Sequence, residues 1–273
     1  MPATPAWPPK SAPRLFIPGP LAAGHTLALE GPQAHYLARV MRVAEGDAVI
    51  LCDDLTGEWA ARVTEAGKRE VTLEVAERLR ERQPVPDFTL CAALLKKDRF
   101  DWVLEKATEL GVRRIQPVLT RRCVADKLNL ERARAAIVEA AEQCARTALP
   151  ELAEPVKLDA LLKSWDASRA LFFADEAGGE PAAEAFAEPL RRQGPQSDSR
   201  DTEGGARLRG DSLKAALLVG PEGGFDDAER AAIRVLSAAV PITLGPRILR
   251  GETAAISATA VWMALAGDWS QIA

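Results

Sequence analysis

The sequence predicts an α/β protein in which a small all-β domain precedes a parallel sheet flanked by helices. Three observations carry that prediction. Two units near the C-terminal end each read strand, Gly/Pro turn, helix. One is Ala216-Leu217-Leu218-Val219 entering Gly220-Pro221-Glu222-Gly223-Gly224-Phe225; the other is Ile242-Thr243-Leu244 entering Gly245-Pro246-Arg247-Ile248-Leu249-Arg250-Gly251. Consecutive units of this kind argue a parallel sheet. The first 83 residues hold short apolar or alternating runs between turn signals, which suggests a small barrel. Between the two lies Glu81-Arg82-Gln83-Pro84-Val85-Pro86-Asp87, a polar linker with two prolines. The expected division is a flexible tail at 1–13, a β-barrel domain at 14–83 and an α/β domain at 84–273.

Composition narrows the function classes. Apolar residues make up 47% and charged residues 27% of the 273 residues, ordinary for a soluble globular protein. The net charge of -4 gives no global basic signal, so a nucleic-acid partner must be met by a local patch. Cys52, Cys91, Cys123 and Cys144 have no metal-finger spacing, and only His25 and His35 could assist them. Free thiols in a reducing compartment, and no metal site, are expected. No run of eighteen apolar residues is present, so no membrane partner is expected and the location is read as cytoplasmic.

In the first domain a strand opens at Arg14-Leu15-Phe16-Ile17, residues 35–41 read as a short helix or turn, and strands are expected at 48–52, 58–64 and 70–76. Arg39 and Arg42, three apart, suit phosphate contacts on one face or a solvated charged edge. His35 reads as a packing or hydrogen-bonding residue.

In the second domain residues 88–95 form a buried strand, and Asp98 can cap a helix that carries Phe100, Val103, Leu104, Ala107 and Leu110 on one face and stops at Gly111. A strand follows at 112–119, with Pro117 arguing for its end or an edge. Residues 130–146 read as an amphipathic helix with Ala133, Ile137, Ala140 and Cys144 inward. Lys96, Lys97, Arg99, Arg113, Arg114, Arg121 and Arg122 cluster near element ends. They form either a local surface for a polyanion or solubility charge on separate faces. After a strand at 169–175, residues 176–212 are rich in small and polar residues and read as a mobile insertion, with a short helix at 182–192. Asp226 and Glu229 fit a capping box opening a helix to 236, and a final helix begins near Thr253 with small residues.

The two Gly-rich loops match neither GxGxxG nor a P-loop. Their glycines instead let backbone approach a flat ligand closely, and Leu218, Leu244, Ile248 and Leu249 are placed to sandwich an adenine. In parallel sheets ligands sit where strand C-termini meet such loops. The other reading is a structural Gly/Pro corner.

The Gly220–Phe225 run with Glu229, and Leu244-Gly245-Pro246-Arg247-Ile248-Leu249-Arg250 with Glu252-Thr253-Ala254, resemble the RsmE family, the 16S ribosomal RNA uracil-N3 methyltransferases of the SPOUT class. The likeness continues at Lys106-Ala107-Thr108-Glu109-Leu110-Gly111-Val112, Thr120-Arg121-Arg122, Glu142-Gln143-Cys144-Ala145-Arg146 and, in the first domain, Arg14-Leu15-Phe16 and His35-Tyr36-Leu37. The resemblance implies a SPOUT-type parallel sheet with a deep C-terminal trefoil knot, a PUA-like β-barrel domain and a homodimer. It implies S-adenosyl-methionine as cofactor and N3 of a uridine in 16S ribosomal RNA as target, on the 30S subunit, with no DNA partner. Gly220, Pro221, Glu222, Gly223, Gly245, Thr253 and Ala254 then join the four apolar residues as cofactor contacts. Arg250 and Arg247 become candidates to stabilise charge on the uracil. Glu222 is a candidate base, a ligand to the cofactor ammonium, or a helix-capping residue. Arg39, Arg42, Lys96, Lys97, Arg121, Arg122, Gln143 and Arg146 are candidates for RNA placement. Alternatives are a SPOUT enzyme acting at another RNA position and a non-catalytic RNA-binding assembly factor.

Overall fold

The computed structural model describes residues 7–192 and 213–271. In chain order the elements are β1 (Arg14–Phe16), β2 (Thr26–Glu30), α1 (Gly31–His35) running into a π-helical turn (Tyr36–Met41), β3 (Ala48–Cys52), β4 (Glu58–Ala66) and β5 (Glu70–Arg80). Then come β6 (Phe88–Ala93), α2 (Lys97–Glu109), β7 (Arg114–Leu119), α3 (Leu130–Gln143), β8 (Glu151–Leu152), β9 (Val156–Lys157), α4 (Leu158–Lys163) and β10 (Ala170–Ala174). The chain closes with β11 (Glu180–Pro181), α5 (Ala182–Arg192), β12 (Ala215–Val219), α6 (Asp227–Val235), β13 (Ala239–Thr243), α7 (Gly251–Leu265) and a short 3-10 turn. Two compact units result: residues 1–84 with 141–149, and 85–140 with 150–273.

The first unit is a five-stranded sheet in the order β1-β3-β4-β5-β2, antiparallel except where β1 runs parallel to β3. Alternation places Trp59, Ala61 and Val63 of β4 and Val71, Leu73 and Val75 of β5 in one core with Leu15, Leu37 and Leu51. Asp53 organises the β3–β4 connection: its carboxylate accepts from the N–H groups of Leu21, Leu55, Thr56 and Gly57 and from the Thr56 hydroxyl. Burial alone would raise its pKa, but these donors outweigh burial and hold it below the ordinary carboxylate value. The expected flexible tail is partly held: Trp7, Pro8, Ala12 and Pro13 are half-buried, while residues 9–11 are exposed. The Arg62 guanidinium lies 4.7 Å from the Trp7 ring, and the Pro13 carbonyl accepts from Ile50 N–H. Residues 1–6 lie outside the described residues.

Residues 141–149 return to this unit. Glu142 accepts from Phe16 N–H, Thr147 from Gln83 N–H, and Asp54 from Leu149 N–H, while Arg80 donates to the Ala145 carbonyl. These bonds explain why α3 ends at Gln143 rather than 146. Ala145 turns to φ 59°, which leaves Cys144 exposed instead of inward and buries Arg146.

The second unit is an eight-stranded, wholly parallel sheet in the order β11-β13-β10-β12-β6-β7-β8, with β9 pairing β7 beyond β8. Helices α2, α5 and α7 pack together on one face; α4 and α6 lie on the other. Because both faces are covered, the central strands are continuous apolar runs. Leu171, Phe173, Ala216 and Leu218 face the cluster that holds Leu158 and Ile233. Phe172 meets Phe186 of α5 edge-on at 4.9 Å, and Phe88 stacks on Trp262 of α7 at 4.1 Å.

Three local expectations change. Lys96, not Asp98, is the N-cap residue of α2; Asp98 sits within the first turn, where its charge still suits the helix dipole. Pro117 lies inside β7, yet its missing N–H falls in the gap between the β8 and β9 pairings. The Gln116 side-chain amide covers that gap, donating to the carbonyls of Pro117 and Glu154. The expected insertion is ordered in its first part: β11 pairs with β13, and α5 packs on α7. Its remainder, 193–212, lies outside the described residues.

Candidate active site

The C-terminal ends of β10, β12 and β13 open onto a cavity of about 500 Å³, in the size range of small-molecule sites. Its walls are the loop after β12, the loop after β13 and the first turn of α7. Both Gly-rich loops are therefore brought together, as their sequence pattern suggests.

The first loop is heavily braced. Asp226 caps α6 by accepting from Glu229 N–H at 2.7 Å, and the Glu229 carboxylate accepts in turn from Asp226 N–H. Glu229 also accepts from Arg121 N–H at 2.7 Å, and the Arg121 guanidinium pairs with Asp226 at 2.9 Å. The Glu229 N–H and the Arg121 guanidinium hold the Asp226 carboxyl below its ordinary value. Arg122 donates to the Gly223 carbonyl at 2.8 Å. Arg121 and Arg122 thus brace this loop, although both remain exposed.

The second loop is bare by comparison. Ile248 is 92% exposed. Among the described residues no ion pair engages Arg247 or Arg250, and both line the cavity. Arg250 is the N-cap residue of α7, which begins at Gly251 rather than Thr253.

Arg99 of α2 was not singled out as a site residue by the sequence. It lines the cavity, with Nη1 3.3 Å from Glu222 and Nε 3.7 Å from Glu252. Asp175 and Glu176, at the end of β10, also line it. The Asp175 side chain is fully buried and paired with Arg230 and Arg234 at 3.0 and 2.6 Å. An acidic residue ending a buried parallel strand is the signal that could have found it.

Of the expected cofactor contacts, Gly220, Pro221, Glu222, Leu244, Gly245, Ile248, Leu249 and Ala254 line the cavity. Leu218 does not: it points into the sheet core and is fully buried. Gly223 backs onto the Arg122 side chain, and Thr253 is exposed outside the lining. Of the expected RNA contacts, Arg39 and Arg42 are exposed in the first unit beside the exposed Val40 and Met41. Lys96, Lys97 and Gln143 are exposed, whereas Arg146 is buried at 8% exposure. Cys52 and Cys91 are buried, and desolvation pushes both thiols up to about 12. No cluster of metal-ligating side chains occurs among the described residues.

The cavity suits a nucleoside-bearing cation. A Cβ on Gly251 would come within 3.0 Å of Leu95 and 3.2 Å of the Gly220 carbonyl, so glycine is what lets the start of α7 pack this closely beside the cavity. Glu222 presents a carboxylate in the cavity wall beside the Arg99 guanidinium, and one Glu252 carboxylate oxygen is buried without a hydrogen-bond partner among the described residues.

This fold and site define an RNA methyltransferase. The description of an RNA methyltransferase domain matches residues 81–263, and that of an RNA methyltransferase PUA domain matches residues 29–76. The chain belongs to the family of ribosomal RNA small subunit methyltransferase E. It is 29% identical to that enzyme of Rickettsia conorii over 95% of this chain and 98% of the relative. With that of Synechocystis it shares 32% identity over 84% of this chain and 70% of the relative. The structure of that enzyme from Neisseria gonorrhoeae, bound to S-adenosyl methionine, superposes with a TM-score of 0.79 at 26% identity, covering 94% of this chain and 99% of the other. A Legionella pneumophila methyltransferase in complex with bound SAM gives 0.77 at 28%, with the same coverage.

Proposed function

We propose that this enzyme uses S-adenosyl-methionine to methylate N3 of one uridine in 16S ribosomal RNA, within the 30S subunit. The observation that carries the reading is the cavity itself: both family loops line it, and Arg247 and Arg250, without an ion-pair partner among the described residues, stand in its wall. When bound, the cofactor supplies an electrophilic methyl group on a sulfonium.

The chain's own residues do the rest. Uracil N3 must lose its proton before it can bond to carbon, and the charge then spreads onto O2 and O4. Arg250 and Arg247, free of carboxylate partners among the described residues, are placed to stabilise that anion. Glu222, already paired with Arg99, acts as the acceptor for the cofactor ammonium. Backbone of Gly220 to Glu222 and of Leu244 to Leu249 reads the adenine, and holding both reactants in line supplies much of the acceleration. Exposed Arg39, Arg42, Lys96 and Lys97 meet RNA phosphates.

Two architectural features belong to the same reading. β12 lies between β10 and β6, while α7 begins against Leu95 and the Gly220 carbonyl; a chain returning this way supports a trefoil knot. Trp102 is 59% exposed on α2, the helix that packs on α7, which supports a homodimer seam. No described helix is long and apolar enough to cross a membrane, and a ribosomal RNA target supports a cytoplasmic location.

Mass mapping of 16S ribosomal RNA nucleosides, with and without this protein, tests the assignment. One N3-methyluridine is expected to disappear on deletion; loss of a methyl group elsewhere, or no change, rejects the uridine assignment.

A further inference from the structure

We infer that Arg99 is a positioning residue of the methyl transfer: one guanidinium clamps both cavity walls to α2 by pairing with Glu222 and Glu252 together. The inference rests on the methyl-donor reading of the cavity, but the clamp itself is visible without it. Glu222 belongs to the loop after β12, and Glu252 to the first turn of α7, which follows the loop after β13. Arg99 spans them from a third element, with contacts of 3.3 and 3.7 Å.

The two contacts differ in kind. The Glu222 side chain is 22% exposed, whereas that of Glu252 is 7% exposed. Of the two oxygens of Glu252, one faces Arg99 and the other is buried without a hydrogen-bond partner among the described residues. Arg99 is thus the cation that makes a buried carboxylate tolerable. Removing one member of a buried pair leaves an uncompensated charge, which destabilises strongly. At Glu222 the loss is geometric instead, because an exposed carboxylate can hydrate but no longer holds one rotamer.

The surroundings reinforce the division. Gly251, next to Glu252 in the chain, lines the cavity and packs closely on the Gly220 carbonyl, so the position of Glu252 is coupled to the cavity wall. A fork-shaped guanidinium can hold two carboxylates in fixed directions, whereas an ammonium is a point charge. Lysine at this position keeps the charge and loses part of the geometry.

The test uses the full chain with Arg99→Gln, Arg99→Lys and the double variant Arg99→Gln/Glu252→Gln. S-adenosyl-methionine affinity is read by calorimetry, and the thermal midpoint is read without ligand. Arg99→Gln is expected to lower the midpoint and weaken binding on the order of tenfold; Arg99→Lys is expected to fall between it and the parent. In the double variant the midpoint recovers while the affinity stays low, because Glu222 remains undirected. If Arg99→Gln binds within twofold of the parent, or the double variant recovers affinity together with the midpoint, the positioning role is wrong. If Arg99→Gln does not fold, the double variant alone supplies the affinity comparison. A parent protein that fails to bind S-adenosyl-methionine overturns the methyl-donor reading instead. In that case recovery of the midpoint supports the clamp, and its absence removes the clamp.

Discussion

The two walls of the cavity are built on opposite principles. The loop after β12 is tied at nearly every residue: Glu222 to Arg99, Gly223 to Arg122, and Asp226 to both Arg121 and Glu229. The loop after β13 is held mainly at its ends, by β13 and by the first turn of α7, with Ile248 almost wholly exposed between them. A preorganised wall fixes where a ligand sits, while a sparsely tied wall carries side chains that complete their contacts only when a second molecule arrives.

Substitutions in the two walls should therefore separate binding from turnover. The largest effect is expected for Arg250→Ala, which should lower kcat about a hundredfold, as for loss of one transition-state donor, with S-adenosyl-methionine affinity changed much less. Single-turnover kinetics beside calorimetry checks this, and parallel losses in both would make Arg250 a pocket-building residue. Next comes Gly251→Val, whose Cβ would meet Leu95 at 3.0 Å and the Gly220 carbonyl at 3.2 Å. Overpacking here should cost about 1–3 kcal/mol in urea unfolding and weaken cofactor binding. Unchanged affinity would mean the walls can separate freely.

A third variant, Glu229→Ala, removes a capping bond and the acceptor for Arg121 N–H together. It should destabilise the second unit by roughly 1–2 kcal/mol; urea titration followed by tryptophan fluorescence measures it. Ile248→Ser should be the mildest, shifting stability of the unliganded chain within about 0.5 kcal/mol. A larger shift would reveal that the exposed loop is tied after all.

The same contrast extends to the first unit, where Asp53 anchors its connection much as Asp226 does. Its folded pKa is depressed, so its stabilising contribution is fully present above the unfolded value and is lost as pH falls through the lower, folded one. Urea midpoints should therefore drop below about pH 4, and Asp53→Asn should flatten that part of the profile. An unchanged profile would remove Asp53 as its source.

Much of this was legible because it is local. The strand at 48–52, the Asp226–Glu229 capping box and the Gly111 stop rest on residues close in sequence, and each forms where its pattern indicates. The α/β class followed from repetition of strand, loop and helix. The residues misplaced depend on distant partners instead. Leu218 is apolar beside a ligand loop, but strand alternation turns it toward α6. Arg146 resembles a surface cation until the return of residues 141–149 to the first unit buries it. Arg99 reads locally only as one of a cluster of basic residues, since its pairing depends on carboxylates at 222 and 252 that are distant in sequence.

Finally, the fork at β7 bears on how such a sheet stays soluble during synthesis. A parallel sheet with apolar central strands offers a template on which further chains can add, and parallel sheets form slowly. Yet both borders are two-residue strands: β8 and β9, set apart around Pro117, on one side and Glu180–Pro181 on the other. Each border offers only two residues to pair with, so the apolar central strands are kept away from the sheet's open edges.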